Sequence, residues 1–353
     1  MPANFTRRRD LFLDAGFNDP DAVLALLSKE VHAIAPGAWD ARDPKLRETV
    51  RARAAKLPLD QRRLARLVPE WLGPRSGDLA TVLWLAREEH GEALDLAGFL
   101  FEVLDALLAG SEPQALAFAR FMLDLEFDWQ RVYTDPSLAY EFLRERDPNP
   151  LVWRLLDELT QRGERLSVLE LGCGLGNDAF GFLRSPITDA YAGIDVSQEA
   201  LDGFAARVAK EPSRAAPRLL RGDFFSVLES DPKSLAGVNL VYSYSSLHYF
   251  NSHELARLYE LVRELLPASR GYFAFGIKGR GSVWDGQGLP LYRPDVWVNL
   301  DGQSRWFPAR EALERQLDKA GFELRFHEMH EHWGYSELGR RDIFHFVLCS
   351  PRS

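Results

Sequence analysis

Cysteine, clustered positive charge and long apolar runs are scarce in this sequence, and each scarcity excludes something. Among 353 residues there are only two cysteines, Cys173 and Cys349. Two thiols cannot build a disulfide framework or a cysteine-rich zinc site, and they fit a reducing cytoplasm. Basic residues never run longer than Arg7-Arg8-Arg9, and 52 Asp and Glu outnumber 43 Lys and Arg for a net charge of −9. Counterion release from a nucleic acid needs clustered cations, so no nucleic-acid partner is expected. The longest apolar-looking stretch, Leu94 to Leu108, is broken by Asp95, Glu102 and Asp105. It falls short of the ~20 apolar residues that a membrane span requires. Leu11-Phe12-Leu13 is stopped at once by Asp14, so no secretory h-region is read there. The expectation is a soluble, cytoplasmic protein with no membrane partner.

Packing material, by contrast, is plentiful. The chain is 46% hydrophobic, with 22 Phe, 9 Trp and 10 Tyr. At roughly 150 residues per domain this supplies two cores. The expected division is an all-helical domain over 1–126 and a second domain over 127–353. In the first, Asp19-Pro20 and Asp43-Pro44 each read as an N-cap followed by Pro at the first helical position, where the missing N–H costs nothing. Val23, Leu24, Leu27, Val31 and Ile34 then recur at helical spacing. Further helices are expected at 59–72, 78–90, 91–108 and 111–127.

After about residue 165 the rhythm changes to short apolar strands alternating with helices. Candidate strands are 166–171, 190–194, 218–220, 238–242 and 272–277. Alternation at this spacing means parallel strands joined by right-handed crossovers. Asn251 with Glu254 suggests a capping box for a helix through Leu255, Leu258, Val262 and Leu265. Another helix should begin near Pro308 and stop at Gly321. Two last strands, 322–326 and 343–348, joined by a loop of about 15 residues, suggest an antiparallel hairpin. The fold class is therefore α/β: a Rossmann-like, doubly wound, mostly parallel seven-stranded sheet with a C-terminal antiparallel hairpin, preceded by the all-α domain.

The chemistry concentrates in Glu170-Leu171-Gly172-Cys173-Gly174-Leu175-Gly176-Asn177-Asp178, which follows an apolar strand and opens a helix. Without Cβ atoms the backbone can turn sharply and approach a ligand beyond the carboxyl ends of the strands. The next strand ends at Asp195, whose carboxylate can accept hydrogen bonds from two ribose hydroxyls. A dinucleotide fits poorly: the spacing is Gly-x-Gly-x-Gly, and Glu170 would face a pyrophosphate unfavourably. The same carboxylate suits a ligand carrying a sulfonium and an ammonium, which is S-adenosylmethionine.

The stretch from Glu170 to Gly176 resembles motif I of the class I S-adenosylmethionine-dependent methyltransferases, and the likeness covers roughly residues 128–353. It implies a cofactor-binding set of Glu170, Gly172, Cys173, Gly174, Gly176, Asn177, Asp178, Asp195, Val196, Asp223, Phe224, Ser243 and Tyr244. In the family the acid matched by Asp195 holds the ribose. The Asp matched in Gly222-Asp223-Phe224 reaches the adenine amine, with the aromatic neighbour against the ring. Val241 to Tyr249 resembles the fourth strand and the loop leading from it. Trp129, Tyr133, Ala139-Tyr140 and Pro148-Asn149-Pro150 are similar to the lead of tellurite- and thiopurine-type small-molecule methyltransferases, which implies Tyr140 folding over the donor.

For catalysis the candidates are His248, whose imidazole has a base's pKa, and Tyr244 beside it. Both fall just after the fourth strand. No metal is assigned. His327, His330 and His332 do not share one face of a strand, and no cysteine lies near them. The stretch 278–307, rich in Gly and Trp, is expected as a lid over the acceptor. The expected activity is in-line methyl transfer to a small-molecule acceptor. A peptide or protein acceptor held by the helical domain is one rival, and a donor-binding interaction protein without turnover is the other.

Overall fold

The computed structural model describes residues 3–34, 43–73, 77–122, 129–134, 146–291, 296–298, 303–335 and 340–352, save 212, 215 and 231. The chain folds as two compact units. One comprises 1–127 together with 249–251 and 284–307; the other comprises 128–248, 252–283 and 308–353. The contiguous division at 126/127 expected from the sequence is thus cut by two later segments that fold with the helical unit. The larger of them is the expected lid.

The first unit contains α1 (Ala3–Asp14), α2 (Pro20–Ile34), α3 (Pro44–Ala54), α4 (Leu59–Trp71), α5 (Leu79–His90), α6 (Leu96–Gly110) and α7 (Glu112–Met122). Four of these start on an aspartate that accepts an orphan backbone N–H: Ala22 N to Asp19 at 3.0 Å, Lys45 N to Asp43 at 2.9 Å, Thr81 N to Asp78 at 2.7 Å, and Gly98 N to Asp95 at 2.9 Å. Around the middle, α6 is buried on nearly every side, through Leu96, Phe99, Leu100, Phe101, Val103, Leu104 and Leu107. It packs against α3, α4 and α7. A helix apolar all round is a core helix.

The segment 284–307 supplies this unit with a small antiparallel sheet of β6 (Leu289–Pro290), β7 (Val296–Val298) and β8 (Ser304–Trp306). Its Trp297, Trp306 and Phe307 are buried, and Leu291 O accepts from Ala80 N of α5 at 3.0 Å. The expected loop is a folded part of a core because its own aromatic residues are what it buries.

The second unit opens with α8 (Trp129–Thr134) and α9 (Pro150–Gln161), the latter capped by Asn149. Then follow β1 (Leu166–Leu171), α10 (Ala179–Arg184), β2 (Thr188–Asp195), α11 (Gln198–Val208), β3 (Arg218–Arg221) and α12 (Phe224–Ser230). The rest is β4 (Leu240–Tyr244), α13 (Ser252–Leu265), β5 (Tyr272–Lys278), α14 (Arg310–Lys319), β9 (Phe322–Tyr335) and β10 (Arg340–Pro351). The sheet order is β3-β2-β1-β4-β5-β10-β9. The first five strands are parallel, and β10 runs antiparallel to both its neighbours.

This is the doubly wound sheet with a terminal hairpin that the alternation implied. The hairpin strands are far longer than expected. The sequence His-Glu-Met-His-Glu-His reads as a polar loop, yet it continues β9 through Tyr335, because one face of an edge strand can stay in water. The core on one face joins α9 (Leu151, Val152, Leu155, Leu159) to Phe180, Phe182, Tyr242 and Phe346. No described helix is long and apolar enough to cross a membrane.

Candidate functional site

The strand order reverses between β1 and β4, and in open α/β sheets a ligand sits beyond the carboxyl ends of the strands at that point. The glycine turn lies there. Gly172 N and Cys173 N both donate to Ile194 O, at 2.8 and 3.1 Å, which ties the end of β1 to the end of β2. Gly172 has φ +77°. A Cβ at this glycine would collide with the Ser246 hydroxyl and would sit 3.4 Å from the Phe224 ring. Only glycine lets the turn, the β4 loop and Phe224 converge. A Cβ on Gly174 would lie 2.9 Å from the Tyr133 hydroxyl, so α8 stands directly over the turn.

Asp195 ends β2 and is 7% exposed. Gly174 N donates to its Oδ2 at 2.9 Å, and Ser197 N donates to its Oδ1 at 2.9 Å. Burial pushes its carboxyl above the ordinary range, against the pull of these backbone N–H groups. Glu170, 3% exposed, accepts from the Tyr191 hydroxyl at 2.5 Å. Desolvation, and then the nearby Asp178, raise its carboxyl well above the usual value. Asp178 accepts from Asn149 N at 3.0 Å, from the Tyr242 hydroxyl at 2.9 Å, and from the Asn149 side-chain amide. It too is raised by burial. Among the described residues none of these three carboxylates forms an ion pair with Lys or Arg, although the Arg146 charge acts on Asp178 from nearby. A cationic ligand would offset the desolvation that these three carboxyls bear.

The other expected residues divide by what they already hold. Cys173 is buried, and desolvation drives its thiol far above the ordinary range, so it packs rather than reacts. Gly176 has φ +75° and lies against the Phe204 ring. Asn177 accepts from Arg146 N at 3.2 Å and from Arg207 Nη1 at 2.6 Å, bracing the loop from behind. Asp223 accepts from Ser226 N at 2.9 Å as the cap of α12, and Phe224 is buried. Val196 is 40% exposed, beside Asp195. The Ser243 hydroxyl donates to Leu171 O at 2.9 Å, below the turn. Tyr140 lies outside the described residues.

At the end of β4, Tyr244 stacks on Phe344 with centroids 5.1 Å apart and planes 8° from parallel. Phe346 meets the same ring edge-on at 6.1 Å. His248 is buried, at 1% exposure, in the turn after the strand. Between them Ser245 has φ +58°, the one described non-glycine residue with positive φ. Its N–H donates to Gly276 O of β5 at 2.9 Å. Backbone strain of this kind concentrates at functional turns.

Several contributors escaped sequence reasoning. Gln130 of α8 accepts from Gln198 N at 3.0 Å and from the Ser197 hydroxyl at 3.2 Å, clipping α8 to the start of α11. Tyr191 and Tyr242 read as core aromatics, and only their hydroxyls, aimed at Glu170 and Asp178, betray the site. Asn149 carried a usable signal, an Asn-Pro helix start just upstream of the glycine turn. Lys278 and Asp342, buried and 2.7 Å apart at the carboxyl end of β5, are joined by the Ser282 hydroxyl. They lie 64 residues apart, beyond any local pattern.

Residues 168–268 match the family model of a methyltransferase domain. No curated protein matches the chain. Similar solved structures include an S-adenosylmethionine-dependent methyltransferase from Mesorhizobium loti, at 19% identity, covering 57% of this chain and 98% of that one with a TM-score of 0.42. Another is 1,6-didemethyltoxoflavin-N1-methyltransferase from Burkholderia thailandensis, with bound 1,6-didemethyltoxoflavin and S-adenosylhomocysteine (16%, 63% and 84%, TM-score 0.47). A third is magnesium protoporphyrin IX methyltransferase from Synechocystis with bound S-adenosylmethionine (13%, 64% and 95%, TM-score 0.41). The span that matches the methyltransferase-domain model runs from β1 through α13 and contains the glycine turn, Asp195 and the turn after β4.

Proposed function

We propose that this chain is an S-adenosylmethionine-dependent methyltransferase acting on a small-molecule acceptor. The observation that carries the reading is the glycine turn at the end of β1, flanked by Asp195 and by two more buried carboxylates that form no described ion pair with Lys or Arg. The cofactor fits what is there. A cradle that a Cβ would fill receives the chain of the nucleoside amino acid, and Asp195 has lone pairs left for ribose hydroxyls. Glu170 and Asp178 supply the field that a sulfonium and an ammonium require. Phe224 and Asp223 stand where an adenine ring would be read.

The bound donor supplies a methyl group already activated by its sulfonium. A bond from the acceptor atom to that carbon forms as the C–S bond breaks, and S-adenosylhomocysteine leaves. The protein's part is positioning, which can contribute about 7–11 kcal/mol in favourable cases. Tyr244, half-buried at the end of β4 and backed by Phe344, offers an aromatic surface suited to a planar acceptor. The excess of acidic residues favours such a molecule over a nucleic acid. His248 is the base for an acceptor that must lose a proton; a thiolate or an oxyanion would need none.

Titration calorimetry with S-adenosylmethionine and S-adenosylhomocysteine tests the donor site, and both should bind. Incubation with methyl-labelled donor and a metabolite extract should then give a labelled small product. Failure of well-folded protein to bind either nucleoside removes the reading.

A further inference from the structure

Two buried histidines of the β9–β10 hairpin lie against each other. His327 on β9 and His345 on β10 face each other, with His327 Nε2 2.9 Å from His345 Nδ1. His345 Nε2 lies 3.1 Å from the carbonyl oxygen of Pro308, and His327 Nδ1 lies 2.9 Å from Glu314 Oε1 on α14. Four groups are thus strung on three short links. Pro308 O also accepts from Arg280 N at 3.1 Å, where the chain leaving β5 meets the chain entering α14. The string therefore ends on the neck through which the 284–307 segment departs and returns.

Hydrogen counting shows what this string requires. A carbonyl and an ionised carboxylate have no hydrogen to give, and each neutral imidazole has one. Three links therefore have two hydrogens between them. Every neutral tautomer pair leaves at least one link without a hydrogen. Because the Pro308 carbonyl can only accept, His345 must carry its hydrogen on Nε2 to hold the neck. Of the two tautomers open to His327, the one donating from Nε2 fills the buried link between the imidazoles and leaves bare the link to Glu314, whose oxygen already accepts from Arg310 Nε. A third proton on the His327–Glu314 pair completes the set.

We propose that Glu314, His327, His345 and the Pro308 carbonyl form a proton-operated clasp that fastens α14 and the neck to the β9–β10 hairpin. The clasp closes when one additional proton binds and opens at the Glu314 end when it leaves. Glu314 is not stranded on opening, because Arg310 Nε already donates to the same oxygen at 2.9 Å. The charged and titratable groups acting on His327 are Glu314, Arg310 and Glu311 from α14 and His345 from β10. Burial is the largest influence on both imidazoles. It pulls His345 down to about 4, which keeps it neutral, and holds His327 below its ordinary 6.5 despite Glu314. Closure accordingly belongs to mildly acidic conditions.

Nitrogen-detected NMR of the full chain, together with amide-exchange protection factors for residues 308–319 across pH, tests the clasp. His345 should keep its hydrogen on Nε2 to below about pH 5. His327 should titrate below 6.5, and protection should rise about tenfold as that proton binds, the worth of one hydrogen bond to a charged group. In Glu314→Gln the amide supplies the third hydrogen permanently, so protection should lose its pH dependence and His327 should titrate at still lower pH. A His345 protonated on Nδ1 instead, or the same pH dependence in Glu314→Gln as in the parent, overturns the proposal. If the variant does not fold, the tautomer of His345 in the parent chain decides alone. Neither readout requires methyl transfer, so the clasp and the proposed activity stand or fall separately.

Discussion

Each unit buries carboxylates, but in opposite company. Glu102, in the middle of α6, is 2% exposed and accepts from Arg66 Nε at 2.5 Å, with Arg62 Nε 3.8 Å from its other oxygen. Glu170, Asp178 and Asp195 are as deeply buried, yet among the described residues their hydrogen bonds come only from hydroxyl, amide and backbone groups, with Arg146 acting on Asp178 without forming an ion pair. Burying a charge is costly unless it is paired. The helical unit meets that cost with arginines. The sheet unit leaves it outstanding at one place, which is the mark of a site whose missing counter-charge arrives with a ligand. Structural and functional burial of the same side chain are distinguished by the partner.

The largest effect should follow from breaking the ligand side of this contrast. If Asp195 holds the ribose as proposed, Asp195→Ala removes two charge-assisted hydrogen bonds to the donor, each worth about 1.5–3 kcal/mol, so affinity should fall by roughly 100-fold or more. Calorimetry with circular dichroism on the same sample checks it; undiminished affinity in folded protein would displace the ribose from Asp195. Next comes a pair of isosteric changes of opposite sign. Glu102→Gln should lower stability by about 1–2 kcal/mol by withdrawing the charge that Arg66 and Arg62 serve. Glu170→Gln should raise the stability of the ligand-free protein by about 0.5–2 kcal/mol while weakening donor binding. Denaturant titrations that gave both variants the same sign would dissolve the distinction.

Acidity sharpens it further. The folded-state pKa values of Glu170, Asp178 and Asp195 are raised, so the native protein holds protons that the unfolded chain has released. Their contribution is complete below about pH 4, the unfolded value, and is lost as pH rises through the folded values. Binding a cationic donor should reverse this and expel protons. Calorimetry in buffers of different ionisation enthalpy should therefore detect proton release, and a donor that binds without it would show that these carboxylates are not its neighbours. The smallest effect concerns the turn after β4: Ser245→Gly should relieve the left-handed backbone and add about 0.5–1 kcal/mol, with donor affinity unchanged.

Much of the second unit was readable because its signals are local. Val168 to Asp178 combines an apolar strand, a three-glycine turn and a helix start within eleven residues, and Asp195 follows at the spacing one crossover imposes. The β9–β10 hairpin was underestimated for a physical reason: alternating His and Glu on a half-solvated edge strand resembles a loop. The 284–307 sheet was missed because strands of two and three residues carry no period. The contact of His327 with His345 depends on register across the sheet, and that of Asn149 with Tyr242 on how α9 packs against it. No local pattern encodes register, so the buried network around the donor site emerged only in three dimensions.

The position of β10 between β5 and β9 has a consequence for synthesis on the ribosome. Translation delivers β5 some sixty residues before the strand that pairs with its free edge, and β9 has no partner in the sheet until β10 emerges. During that interval Phe273 and Phe275 sit on an open edge, the kind of surface that recruits neighbouring nascent chains. Rare codons or stalling between β5 and β10 would lengthen this exposure, so expression yield should respond to translation speed there more than anywhere upstream.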